Sequence, residues 1–397
     1  MRNKEPNTFA MDTEMEVGFM TFDPDGDLLL RLTYPSESIP VRVEQPATLD
    51  ADECYSISSH TRSIMASSAM SNASTVIEYC NSFFVSTRVV DMRVSSKHLM
   101  LASPVFKTKL LEGTFEARKM TPGGNATLPL PDDDPAMFEI LLNIIHGRVR
   151  LVPSQVTVGI LEGLSVLVAK YQMLEVVELY VRAWVPKLRK TLPKSLTPGL
   201  ISWLCIAWVF QLPPEFNHVT RIAQLEACGP LVHDDGSSLP IPVHVIDEIE
   251  IQRQKGIKKV LSCVTRIIET YDGSKVVCKN NFNDAAEAKR YACDGLILGT
   301  LLKSASSAGL WPLPEAPYLG RSIRNSAEQV RSLKIIALCD STFTKYSRIV
   351  PLPAHGWLCW IEDRCDAIEK GLQGLNFELH SIQHAISTMQ RSLSRQL

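Results

Sequence analysis

The stretch that decides the fold runs Val94-Ser-Ser-Lys-His-Leu-Met-Leu-Ala-Ser-Pro-Val-Phe-Lys-Thr-Lys-Leu-Leu-Glu-Gly113. Ser96 can cap a short helix carrying Leu99 and Ala102, because its hydroxyl can accept an N–H that the first turn leaves unpaired. Ser103 and Pro104 restart a second helix, with Pro in the first helical position, where its missing N–H costs nothing. Phe106 and Leu110 then lie one turn apart, and Gly113 sits just past the end, where a left-handed residue satisfies the last carbonyls. Two short stacked helices with an apolar face are expected.

On either side the pattern changes to that of strands. From Phe83 to Val94 apolar residues alternate, with Val90, Met92 and Val94 on one face and Asp91 and Arg93 on the other. Earlier, Leu28-Leu-Leu-Arg-Leu-Thr33 lies between Asp-Pro-Asp-Gly and Pro35 and reads as a buried strand. Downstream, Leu128 and Leu130 face one side of a further strand. Asp134 caps a helix begun by Pro135, whose stripe is Phe138, Leu141, Leu142 and Ile145.

The block Val94 to Phe106, and the later Leu128-Pro-Leu-Pro-Asp-Asp-Asp-Pro-Ala-Met-Phe-Glu-Ile-Leu-Leu-Asn-Ile-Ile-His-Gly147, resemble the first helices and the next strand and helix of a BTB/POZ domain, especially its fungal version. The resemblance covers residues 24–185, and the fungal subfamily's C-terminal region continues to about residue 377. It implies an α+β fold: a BTB/POZ domain, a short β-sheet flanked by helices, followed by a mostly α-helical C-terminal region. Three parts are expected: a flexible N-terminus over 1–23, the domain over 24–185 with a Ser-rich, partly disordered insertion at 36–82, and a helical region over 186–397.

The same resemblance implies a protein-interaction module that forms homodimers through the first strand and first helices. The candidate interface residues are Leu28, Leu30, Leu99, Met100, Val105 and Phe106. It also leaves room for service as substrate adaptor of a cullin-based ubiquitin ligase. Adaptors of that kind carry a hydrophobic residue, any residue, then an acidic one after the second helix. Here Thr114, Phe115 and Glu116 stand at those positions, with Thr114 in the hydrophobic place. Ser96 stands where the family has a basic residue, with Lys97 beside it. The alternative is a transcriptional or chromatin regulator using the same dimerisation domain. It ranks lower, because the chain has no zinc-finger spacing and no basic helix with aromatic interleaving.

Composition agrees with a folded protein of about two to three domains: 397 residues, 45% hydrophobic and 21% charged. Forty-one basic against 43 acidic residues leave a net charge of −2, so no global field favours nucleic acid or an anionic membrane. The first thirty residues lack the apolar core of a secretory signal, so the chain is expected in cytoplasm or nucleus. The most apolar run, Leu200 to Leu212, falls well short of the roughly 20 residues a membrane helix needs and is expected as a buried helix.

Further along, Ile160, Leu164, Leu167 and Val168 stripe one helix and Leu174, Val177, Val181 and Trp184 the next. Beyond the basic linker Lys187 to Lys194, a helix carrying Ile201, Leu204, Cys205 and Trp208 is stopped by Pro213-Pro214. A long helix is expected over Val245–Tyr271, and loops around 304–309 and 312–317. The last helix is expected to start near Ile361. On it Ile368, Leu372, Leu375, Leu379, Ile382, Ile386, Met389 and Leu393 recur at alternating spacings of four and three, a heptad seam. Either a second copy or the helix at 245–271 could take that seam. Gly371 and Gly374 weaken a zipper at its start.

No residue set announces catalysis or a cofactor. There is no Gly-rich phosphate loop and no Gly-x-Ser-x-Gly elbow. Asp132, Asp133 and Asp134 could gather a hard cation, but between two prolines at a helix start they are better read as a cap with favourable charges. The ten cysteines show no Cys-x-x-Cys pairing and no accompanying His pair, and read as reduced, mostly structural thiols. His98, His146, His233 and His355 have no partner at a catalytic spacing and read as structural. No enzyme, metal or cofactor is expected.

Overall fold

A computed structural model describes residues 17–35, 87–111, 126–231, 239–282, 284–339 and 355–394. Four strands form one mixed sheet: β1 (Val17–Thr21), β2 (Leu28–Pro35), β3 (Thr87–Val94) and β4 (Ala126–Pro131), in the order β1-β3-β2-β4. β2 and β3 are antiparallel neighbours, with Pro35 opposite Thr87, and β1 and β4 run parallel to β3 and β2 at the two edges. Twelve helices are described around and beyond it: α1 (Ser96–Ala102), α2 (Pro104–Leu111), α3 (Pro135–Ile145), α4 (Val158–Tyr171), α5 (Leu174–Leu188), α6 (Gly199–Val209), α7 (Pro213–Glu226), α8 (Val243–Tyr271), α9 (Ala286–Ser307), α10 (Ile323–Arg331), α11 (Trp357–Gly371) and α12 (Phe377–Ser394). The chain is α+β, as expected.

Alternation builds the first core. Leu28, Leu30 and Leu32 of β2, Met92 and Val94 of β3 and Leu128 and Leu130 of β4 are buried, and Leu99, Phe106, Phe138 and Leu142 close over them from the helices. Phe106 stacks on Tyr171 with ring centroids 4.5 Å apart, and Phe138 meets the same ring edge-on at 5.6 Å. On the other side of the ladder, Arg31 and Asp91 sit opposite each other and form two 2.8 Å hydrogen bonds.

Local chemistry explains the helix starts. Ser95, not Ser96, caps α1: its hydroxyl accepts the His98 N–H, while Ser96 donates its own N–H and hydroxyl to Asp27 at 2.8 and 2.6 Å. Asp134 caps α3 as expected, accepting the Ala136 N–H at 2.7 Å. Its neighbour Asp133 does something different. It is buried, taking the Lys170 ammonium at 2.7 Å and the Tyr171 hydroxyl at 2.5 Å.

The expected boundary at residue 185 is not a gap in packing. The first core runs from Phe22 without interruption through α4 to α7 and into the start of α8, and also takes in Leu375 and Phe377. A second core gathers α8 to α11. At 29 residues α8 is about 44 Å long, enough to contribute Val245 and Ile249 to the first core and Ile257 to Tyr271 to the second. Between these two sets the fully buried Arg253 binds both carboxylate oxygens of Glu250 and donates to the carbonyls of Pro317, Tyr318 and Arg321, pinning the Pro-rich loop.

Several expectations change. Residues 17–21 are an edge strand rather than part of a flexible terminus. Pro213-Pro214 ends α6 but also starts α7, because Pro at the first positions of a helix sacrifices no bond. Residues 304–307 finish α9 instead of forming a loop. The insertion at 36–82 and the sites Thr114, Phe115 and Glu116 lie outside the described residues, as does His233.

The heptad seam is broken between α11 and α12, and the reason lies in α7. Thr220 Oγ1 accepts the Leu375 N–H at 2.9 Å, Asn217 donates to the Leu375 carbonyl at 3.4 Å, and Arg221 takes the carbonyls of Leu372 and Glu369. Those backbone groups are therefore unavailable to a continuous helix. At Gly374 the two backbones come so close that an added Cβ would overlap the Asn217 carbonyl.

Candidate functional site

Two places in the molecule bear on function, the first being the face that self-association would use. Of the six candidate interface residues, Leu28, Leu30, Leu99 and Phe106 are between 0 and 1% exposed and belong to the core, so they cannot also form a surface patch. Leu99 and Phe106 are buried because α3 and α4 cover them, with Ser103 donating its hydroxyl to the Tyr171 carbonyl at 2.6 Å. Met100 and Val105 are half-buried. The apolar residues that remain outside are others: Phe19 on β1 at 57%, Leu101 on α1 at 88% and Leu111 on α2 at 64%.

The C-terminal seam divides in a similar way. Leu375 is buried and Leu372 packs against the second core, whereas Leu379, Ile382 and Ile386 of α12 are 51 to 64% exposed. Met389 lies in the same helix. α12 docks through its opposite face: Phe377 and His384 meet Trp208, and His380 stacks on His244 of α8. Among the described residues, α12 meets α8 at His244.

A groove of about 570 Å³ lies between α5 and the α6–α7 turn, with Val181, Val185 and Phe210 among its walls. Of its charged lining, Arg182 pairs with Glu178 and Arg189 with Glu215.

The second place could not be read from the sequence. Cys278, Cys293, Cys339 and His355 come together in the second core, and the three Sγ atoms and one ring nitrogen all lie within 4.8 Å of one another. The three cysteines are 0 to 3% exposed and His355 is half-buried. The cysteines read as mostly structural thiols and His355 as a structural histidine, and the structure adds that these four side chains meet. Local spacing gave no signal, since 46 residues separate Cys293 from Cys339 and 62 separate it from His355.

Each member is placed by identifiable chemistry. Cys293 projects from α9 at the end of a buried stripe with Ile297, Leu301 and Ala305. Its neighbour Asp294 accepts the N–H groups of Val277 at 2.6 Å and Cys278 at 3.0 Å, holding the loop after α8 against the helix. The extended segment after α10 is hung along α9 by Lys334 N–H to Ser304 Oγ at 2.9 Å and Ile336 N–H to Thr300 Oγ1 at 3.1 Å, which carries Cys339 to within 3.6 Å of Cys293. His355 precedes α11, and its Nδ1 lies 2.8 Å from the Tyr271 hydroxyl, which also accepts the Trp357 indole N–H at 2.7 Å. Burial pushes the Tyr271 hydroxyl up to about 12 and raises the Cys278 thiol.

No protein-family model, no curated protein and no solved structure matches this chain. Among the described residues, no helix is long and apolar enough to cross a membrane.

Proposed function

We propose that this chain is a non-catalytic protein-interaction module of the BTB/POZ type, which pairs with a second copy of itself and presents a client to a cullin-based ubiquitin ligase. The observation that carries the reading is the exposure of Leu101 and Leu111 on α1 and α2, the first helices that the resemblance assigns to self-association. Two exposed apolar residues on the packed pair α1 and α2 mark a surface that gains by being covered, and a two-fold contact needs only one such patch on each copy. The titratable groups of the same unit support a non-catalytic role: Asp133, Asp91 and Asp27 are each committed to a structural partner.

The test uses the full chain. Light scattering behind a sizing column at tens of micromolar is expected to give the mass of a dimer. Leu101→Glu with Leu111→Glu is expected to give a monomer with unchanged melting, because neither side chain belongs to the core. A monomeric parent protein overturns the reading. Failure to retain a cullin while remaining dimeric removes the ligase part alone.

A further inference from the structure

A single buried cysteine is explained by packing, since a neutral thiol behaves as a small apolar group. Three thiols and an imidazole converging from four separate segments need more than that. A tetrahedral zinc ion with bonds of about 2.3 Å to sulfur and about 2.0 Å to nitrogen has S···S edges of about 3.8 Å and S···N edges of about 3.5 Å. Here Cys293 Sγ lies 3.6 Å from Cys339 Sγ and 3.6 Å from His355 Nε2. The gaps between these side chains are those of neighbouring ligands around one ion.

The surroundings point the same way. A histidine that binds metal through Nε2 usually donates its Nδ1–H to a second group that fixes the ring, and Tyr271 stands at that position, itself held by Trp357. The Asp294 carboxylate does not join the four. It fixes the Cys278 backbone through its N–H, which presents the thiol without adding a fifth ligand.

We propose that Cys278, Cys293, Cys339 and His355 bind one zinc ion, which clips the loop after α8, the segment after α10 and the entrance to α11 onto α9. Three thiolates and an imidazole suit zinc rather than calcium or magnesium, which take oxygen ligands. With all four positions supplied by the protein, the ion is structural. Binding converts three thiols and a neutral imidazole into three thiolates and a bound imidazole, releasing three protons to solvent.

The experiment is elemental analysis of the full chain, purified under reducing conditions without chelator or metal-affinity resin. About one zinc per chain is expected, falling to background in Cys339→Ala and unchanged in the control Cys359→Ser, whose thiol is exposed and outside the cluster. Should Cys339→Ala not fold, cobalt(II) exchanged into the parent protein supplies the second reading. Strong visible absorption of a tetrahedral thiolate site is expected, altered but retained in His355→Cys. Zinc at background with no cobalt spectrum overturns the proposal, as does a Cys293–Cys339 disulfide found by peptide mapping of the reduced preparation.

Discussion

The backbone N–H of Ser95 donates to Nε2 of His146 across 3.1 Å, while Nδ1 of the same ring lies 2.9 Å from the Leu142 carbonyl. Because Nε2 accepts, the ring is neutral and its hydrogen sits on Nδ1, donated to Leu142. The latch joins the start of α1 to the end of α3. Burial pushes the His146 pKa below 6.5, His98 adds to that, and the Leu142 carbonyl opposes it. An unfolded imidazole therefore takes up a proton that the folded one resists. The stability this represents is present above pH 6.5 and is lost as pH falls below it. Urea midpoints at about pH 7.5 and about pH 5.5 are expected to differ, and by less in His146→Leu. His380, lowered by burial and by His244 with Glu248 opposing, contributes in the same direction. An unchanged difference in the His146 variant argues against the latch.

Asp133 is the buried anion that ties α4 to the β4–α3 turn. Replacing it by Ala strands the Tyr171 hydroxyl and leaves Lys170 without its partner, and is expected to cost about 2–3 kcal/mol in urea unfolding. Lys170→Ala should cost far less, because its side chain is 43% exposed and keeps its water. Equal losses for the two would mean that the anion's burial is not what matters.

Gly374→Ala is expected to lower the melting temperature although alanine is ordinarily the better residue, since its Cβ has no room against the Asn217 backbone. The displaced connector should expose α12 to limited proteolysis. A neutral outcome would show that the 372–376 connector can move off α7 at no cost.

The two faces of α12 separate cleanly. Phe377→Ala is expected to destabilise the protein by about 2–4 kcal/mol, because the ring packs against Trp208 and Phe216. Leu379→Lys and Ile382→Lys should leave melting unchanged, and any fall in oligomeric mass would place their stripe in a contact between copies.

Short-range chemistry was legible, and long-range geometry was not. The Ser103-Pro104 restart and the Asp134-Pro135 cap were readable because cap and helix lie within three residues of each other. β1 escaped notice because Val17–Thr21 is a short edge strand whose partner, β3, lies some seventy residues away. The seam from Ile368 to Leu393 kept its period across a connector whose backbone is claimed by Asn217 and Thr220, and no pattern within the seam reports a competitor from another helix. The Cys/His cluster was hidden for the same reason, its members being brought together by hydroxyls and a carboxylate on α9.

The pairing of Pro35 with Thr87 has a consequence for how the sequence can vary. The ends of β2 and β3 are already opposite one another, so the ladder sets no required length for the chain that joins them. Closing a flexible connection costs only about 0.6 kcal/mol more for each doubling of its length. This junction is thus a port in the sheet, at which the pairing of β2 with β3 is set by the strands themselves and not by the count of residues between them.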